Sequence, residues 1–221
     1  MTMKKGAKRL LNGLGLILIL LLGLYLSVIP RAEVWGATHT EVVSEYPGDS
    51  LVADPAYQTT KAITIQNSPD QIWPWLLQLG VDRGGMYSYD GLENLFGLNV
   101  HSAETIHPEW QDLQSGDFIR FTPVDYALNP GPGLWVVLLE KNYLLVGCFG
   151  REDHMPRPCT ATWQFILNPR PDGATRLILR TRSATAPGFG KQFARLVNLL
   201  PFVMERKMLL GLQTRAETLL P

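Results

Sequence analysis

The sequence predicts an α+β protein: a curved antiparallel sheet wrapped around a long C-terminal helix, preceded by an N-terminal transmembrane helix. Three observations lead there. Leu10 to Ile29 is an apolar run without a charge. Between Asp117 and Ala184, five stretches rich in β-branched and aromatic residues follow one another across tight turns. After Pro201 the apolar period becomes that of a helix and stays so almost to the end.

The chain has 221 residues, 46% hydrophobic and 18% charged, which suits one domain with an appendage. Lys+Arg and Asp+Glu are both 20, so the formal net charge is zero. A nucleic-acid surface carries a basic excess, and this chain has none. A broadly acidic partner is disfavoured on the same ground.

The appendage is the run "LLNGLGLILILLLGLYLSVI", residues 10–29. A transmembrane helix needs about 20 mostly apolar residues. Its Leu and Ile contribute roughly −0.3 to −0.6 kcal/mol each at the helix centre and offset Asn12. The competing reading is a cleaved signal peptide, whose apolar core would be about 7–15 residues, followed by an A-x-A-like site. Downstream stands "SVIPRAEVWGATH", without that site, so the helix reads as an uncleaved anchor in the lipid bilayer. Lys4, Lys5, Lys8 and Arg9 precede it, and Arg31 follows almost alone. This bias puts a basic tail, residues 1–9, in the cytoplasm and the C-terminal domain outside it.

Residues 30–59 hold few periodic signals, and "EYPGDSLVADPAYQTT" is turn-rich, so the stretch reads as a linker. The domain proper then covers 60–221. "KAITIQN" sets Ala62, Thr64 and Gln66 against Ile63 and Ile65, a short strand. In "SPDQIWPWLLQLG", Ser68 can cap a helix, Pro69 opens it and Gly80 stops it, with Ile72, Trp75, Leu76 and Leu79 on one face. Ser88 or Asp90 could cap a second short helix over 91–96. A connection with one possible helical turn leads to the strands "DFIRFTPV", "LWVVLLE", "YLLVGCF", "CTATWQFILN" and "TRLILRTRSA". Only Lys141 and Asn142 separate two of them, as in a hairpin. "GKQFARLVNLL" then reads helical up to Pro201. Beyond it Phe202, Met204, Met208, Leu209, Leu212, Ala216 and Leu219 form an apolar stripe near the 3.6 period. A curved sheet closed on such a helix can leave a cavity between them.

Cys148 and Cys159 are the only cysteines. They end one strand and begin the next, in a compartment that permits a disulfide. A cross-hairpin bridge and two buried thiols both fit. The four His are scattered and no metal pattern is visible.

The blocks "ITIQNSPDQIWPWLLQLGVDRGGMYSYDGLENLFG", "IHPEWQDLQSGD", "TRLILRTR" and "FVMERKMLLGLQTRAE" span residues 60–218. In them the chain resembles the START-like, helix-grip superfamily, also called SRPBCC or polyketide cyclase/dehydrase and lipid-transport proteins, and within it a membrane-anchored branch. The resemblance implies the helix-grip fold and a cavity for hydrophobic ligands. It implies no single reaction, since fold does not set function.

The chemistry-bearing residues gather in "VDRGGMYSYDGLENLFG", residues 81–97. As a binding site, Asp90, Glu93 and His107 would help fix the polar end of an otherwise apolar ligand, with Arg83, Tyr87 and Tyr89 orienting its head. As an enzyme of the cyclase or hydratase kind, Asp90, Glu93 or His107 would supply acid–base chemistry, with His101 within reach. As structure, Asp82 and Arg83 would form an ion pair holding the turn, Gly84 and Gly85 would supply unusual φ/ψ, and the tyrosines would pack with hydroxyls at the surface. His107 and Trp110 could line an entrance, and Met204 and Met208 an adaptable apolar wall. Glu205 and Arg206 could face a cavity or form a solvated face. No nucleophile elbow, phosphate loop or dinucleotide fingerprint is present, and no motif calls for a cofactor. The expectation is a membrane-anchored module binding a hydrophobic or amphipathic small molecule. An enzyme and a ligand-free structural domain are its rivals.

Overall fold

The computed structural model describes residues 5–127, 131–184 and 199–218. The helical reading of 190–198, the first residues of the "NPGPG" turn and Leu219 lie outside the described residues. Strands β1 (Tyr57–Ile65), β2 (Phe118–Arg120), β3 (Pro132–Glu140), β4 (Leu144–Arg151), β5 (Ala161–Pro169) and β6 (Thr175–Ser183) form one sheet. Their order is β1-β6-β5-β4-β3-β2, and every pairing is antiparallel. Neighbours in sequence pair as hairpins, and β1 crosses to pair with β6. The β3–β4 turn needs one left-handed residue, and Asn142 takes it at φ 61°.

Two further helices follow β1. In α3 (Pro69–Leu77), Ser68 holds the N-cap position and Pro69 opens the helix, where its missing N–H costs nothing. The α4 helix (Asp90–Leu95) is capped at Tyr89, not at Ser88 or Asp90. Those two side chains have other partners. The Asp90 carboxylate accepts from the Ser102 amide at 2.7 Å and its hydroxyl at 2.6 Å. The Ser88 hydroxyl donates to Glu93 at 2.9 Å.

The long helix α5 (Leu199–Thr218) packs against β1 and α3. It buries Met208, Leu209, Leu212 and Ala216 with Trp75 and Leu76 of α3, against Ile63, Ile65, Phe165, Leu177 and Leu179 of the sheet. That inner face is the main core. The strands bury a second, outer set: Ala62, Leu144, Val146, Ile166 and Ile178.

The stretch 30–59 covers that outer face. It contains α2 (His39–Val43), opened by a capping box between Thr38 and Glu41, and a 3-10 turn over Pro47–Val52. Tyr46 and Leu51 lie on the outer cluster. A charged pair pins the contact. Arg180 is fully buried on the outer face and ion-pairs with Asp49 at 2.8 Å. Its guanidinium also donates to the carbonyls of Ser44, Glu41 and Val42 and lies over the Tyr46 ring.

The first helix, α1, spans Lys5–Glu33. Its segment Asn12–Glu33 has a mean hydropathy of 2.4 and is apolar enough to cross a membrane. Leu14, Ile17, Leu20 and Leu26 are exposed, whereas Ile29 and Ala32 near its end are buried on the domain. The chain then docks through Trp35. Its carbonyl accepts from the Ala62 amide at 3.0 Å, and its ring meets Phe202 edge-on under Arg206. A disulfide joins Cys148 of β4 to Cys159 before β5, with Cα atoms 5.9 Å apart.

Candidate functional site

The turn after α3 sets the position of everything in 81–97. Gly80 and Gly85 exchange backbone hydrogen bonds at 3.1 and 2.8 Å. Gly85 takes φ +78°, and a Cβ there would press on the Ser102 backbone. Gly84 is required for closeness instead: a Cβ would stand 2.7 Å from the Gln78 carbonyl. Asp82 and Arg83 do not pair with each other. Asp82 pairs with Arg120 at 2.6 Å, and Arg83 with Asp112 at 3.0 Å while donating to the Trp110 carbonyl. Each acts as a strap from the turn to a neighbouring segment.

Beyond the turn, Met86, Leu98 and Val100 face Phe121 and Trp163 of the sheet side, and Met204 and Met208 of α5 close the space. Together they line a half-open cavity of about 270 Å³. Its walls are almost wholly apolar, and its acidic members are Glu93 and Glu205. A second cavity of about 230 Å³ shares Trp163, Pro201 and Glu205 with the first. Its lining is more polar, with Thr59, Lys61 and Thr181.

The boundary between the two cavities is a buried polar cluster. Glu205 pairs with Lys61 at 2.8 Å, and their side chains are 7% and 3% exposed. The Trp163 indole N–H donates to Glu205 at 3.0 Å, and Lys61 donates to the Thr59 hydroxyl at 2.9 Å. Such a buried pair persists only when hydrogen bonds complete it, as they do here.

Glu93 is in a different state. It is 8% exposed, accepts one hydrogen bond from Ser88, and its second oxygen has no partner. Burial pushes its pKa above the ordinary carboxylate range. The Ser88 hydroxyl pulls it back, and the charge of Asp90 pushes it further up.

Among the residues singled out from sequence, Glu93, Met204 and Met208 meet in the apolar cavity. Arg83 lies at the turn, away from it. Tyr87 is 1% exposed and its hydroxyl donates to the Trp75 carbonyl at 3.2 Å. It is therefore a core residue, not a tyrosine with its hydroxyl at the surface. Burial pushes that hydroxyl above its usual range. Tyr89 and Asp90 line a separate groove whose polar groups are engaged, Asp90 by Ser102 and Arg215 by Glu104. His107 stacks on Trp110 at 4.3 Å and reaches Glu109 at 3.3 Å, also apart from the cavity. Among the described residues no cluster of His, Cys, Asp and Glu is placed to hold a metal ion.

Lys61, Trp163 and Thr181 are absent from the sequence-derived candidates, although strand parity signals each: Trp163 shares the parity of Phe165 and Leu167. Lys61 has the same strand parity as Ile63 and Ile65, and Thr181 the same as Leu179 and Leu177. Period two therefore puts both on the core face. Glu205 stands three, four and seven residues before Met208, Leu209 and Leu212, on the buried stripe of α5.

No protein-family model matches the chain, and no curated protein matches it. Several solved structures share its outline. A protein from Mesorhizobium loti, MLL2253, has 15% identity over 75% of this chain and 100% of its own, with a TM-score of 0.43. A protein from Arthrobacter aurescens has 13% identity over 80% of this chain and 92% of its own, with a TM-score of 0.41. A Polyketide_cyc-like protein from Corynebacterium glutamicum, Cgl2372, has 14% identity over 71% of this chain and 88% of its own, with a TM-score of 0.40. At such values no activity transfers. The α+β arrangement, a six-stranded antiparallel sheet with a long C-terminal helix, is read from this chain itself.

Proposed function

We propose that this chain is a membrane-anchored module that binds a hydrophobic or amphipathic small molecule of lipid size. One observation carries the reading: an apolar cavity between α5 and the sheet that ends on the buried Lys61–Glu205 cluster. Pockets for such ligands combine many apolar walls with a few placed polar groups. Burying ligand carbons there yields roughly 25 cal/mol per Å² of apolar surface. The polar head would sit toward Lys61, Thr59 and Thr181, not toward Arg83, Tyr87 and Tyr89. The anchor fits the same reading, because the end of α1 docks on the first turns of α5, beside Pro201 at the cavity wall. In this proposal the N-terminus is cytoplasmic and the domain lies across the membrane from it. Protease accessibility in sealed vesicles checks that orientation.

The direct test is native mass spectrometry of the full chain released from nanodiscs, followed by organic extraction. A co-purifying species of lipid size is the expected result. Met204→Trp, which fills the cavity, should lose it. Equal ligand content in both proteins would refute this cavity as the site.

A second reading, acid–base catalysis, draws on Glu93 and Glu205 lining one cavity. A recovered ligand whose mass changes with time on the wild type, and not on Glu93→Gln, would replace binding by catalysis.

A further inference from the structure

We infer that Glu93 donates a hydrogen bond to the ligand and selects molecules that carry an uncharged acceptor oxygen, a carbonyl or ester, over carboxylates and plain hydrocarbons. This deepens the binding reading above and rests on it.

The argument begins with satisfaction. An ionised carboxylate offers about four acceptor positions. Glu93 meets one donor, Ser88, and no cation pairs with it among the described residues. A carboxylate buried in that state is costly, and it sheds the cost by holding a proton. Burial and the Asp90 charge act in the same direction. Once protonated, the group becomes a donor that needs an acceptor.

The protein does not supply that acceptor. The cavity walls next to Glu93 are carbon and sulfur, apart from Ser88 and Glu205. The Ser88 oxygen already accepts from the Tyr89 amide at 2.6 Å, and its proton is shared between Glu93 at 2.9 Å and Met204 Sδ at 3.8 Å, so it meets at most one Glu93 oxygen and leaves the second unmet. Glu205 serves Lys61 and Trp163. Apart from water, which a ligand displaces from this cavity, the remaining source of an acceptor is the molecule in the cavity. A ligand carboxylate fits poorly, since no Lys or Arg lines this cavity and Lys61 next door is neutralised by Glu205. An alkane leaves the Glu93 donor unmet. A neutral carbonyl or ester oxygen answers it.

The test uses the full chain in phospholipid nanodiscs and three matched probes: a medium-chain methyl ketone, the alkane of equal length and the corresponding fatty acid. The proteins are the wild type, Glu93→Gln, which keeps a donor, and Glu93→Leu, which has none. The wild type should prefer the ketone over the alkane by about two- to tenfold, the worth of one neutral hydrogen bond. The bound ketone's infrared carbonyl stretch should move to lower frequency. Glu93→Gln should keep both signatures and Glu93→Leu should lose both. In the wild type the preference should fade as pH rises and Glu93 ionises, and in Glu93→Gln it should not. The other titratable groups near it, Asp90 on its own helix and Glu205 and Lys207 on α5, are common to both proteins. Equal binding of ketone and alkane, or preference for the fatty acid, overturns the inference and leaves the binding reading standing. Binding of none of the probes overturns both.

Discussion

Glu205→Gln removes one charge from a buried pair and leaves the other in place. Lys61 is then a 3% exposed ammonium left with neutral acceptors alone, the Thr59 hydroxyl and the introduced amide oxygen. Breaking a buried ion pair from one side costs about 3–5 kcal/mol, most of it the penalty of the stranded charge. The cavity of about 230 Å³ beside Lys61 gives water a place to solvate it, which points to the lower end. For a chain of this size each kcal/mol moves Tm by about 2–4 °C, so a fall of about 6–12 °C is expected. Lys61→Met with Glu205→Leu removes both charges at similar volume and should recover most of the loss, because neither ion is then desolvated. Thermal unfolding of the full chain in micelles, followed by near-ultraviolet circular dichroism, reads both numbers. A Glu205→Gln variant within about 1 kcal/mol of wild type would refute the reasoning. So would a double variant whose loss equals the sum of the single ones.

Three further outcomes are expected. Glu93 and Glu41 should bend the pH profile of stability in opposite senses. Glu93 has a raised pKa, so its contribution is complete below the ordinary carboxylate range and is lost as pH rises through the raised value; Glu93→Gln should flatten that limb of a Tm-versus-pH curve. Burial acts to raise Glu41, but the hydrogen bonds from Arg176 and Thr38 outweigh it and the pKa is lowered; its contribution is lost as pH falls, and Glu41→Gln should flatten the acid limb. Asp49→Asn should cost about 3 kcal/mol, since Arg180 keeps its carbonyl acceptors but loses its counter-charge, and hydrogen exchange should rise first in residues 39–52. Gly211→Ala gains about 1 kcal/mol of helix propensity. The new methyl would land on the Tyr87 carbonyl, and overpacking costs about 1–3 kcal/mol, so denaturant unfolding should show a net loss.

The elements were legible wherever one periodicity or one punctuating residue governs the chain. "TRLILRTR" and "YLLVGCF" could be read as strands because β-branched and aromatic side chains favour a pleated surface. Pro69 marked the start of α3, and Gly80 the turn that follows its end at Leu77. The apolar run of α1 declared its length and lack of charge without any tertiary information. The same strands also carry apolar residues on both faces, as Ile178 between Leu177 and Leu179 shows. That pattern implies a cover on the outer side, yet it does not say which segment provides it. The structure assigns the cover to residues around Tyr46 and Leu51, through a pairing of Asp49 with Arg180 across 131 positions.

The sequence by itself determined most of the helices and strands after residue 60, that the N-terminal run is apolar enough for a membrane, and that residues 81–97 concentrate polar side chains in a glycine-rich turn; it read 30–59 as a linker, where the structure has α2, a 3-10 turn and the start of β1. Those features depend on near neighbours: φ/ψ preference, hydrophobic period and local composition. The tertiary structure decided which of the polar groups do work in the cavity. Arg83 and Asp82 turned outward to Asp112 and Arg120, and Tyr87 turned into the core, while Glu93 stayed inside with one oxygen unmet. Lys61 and Glu205, far apart in the chain, became the cavity's charged floor. The physical reason is that a side chain's state is set by desolvation and by the partners within a few ångströms. Those partners are brought by folding from distant parts of the chain.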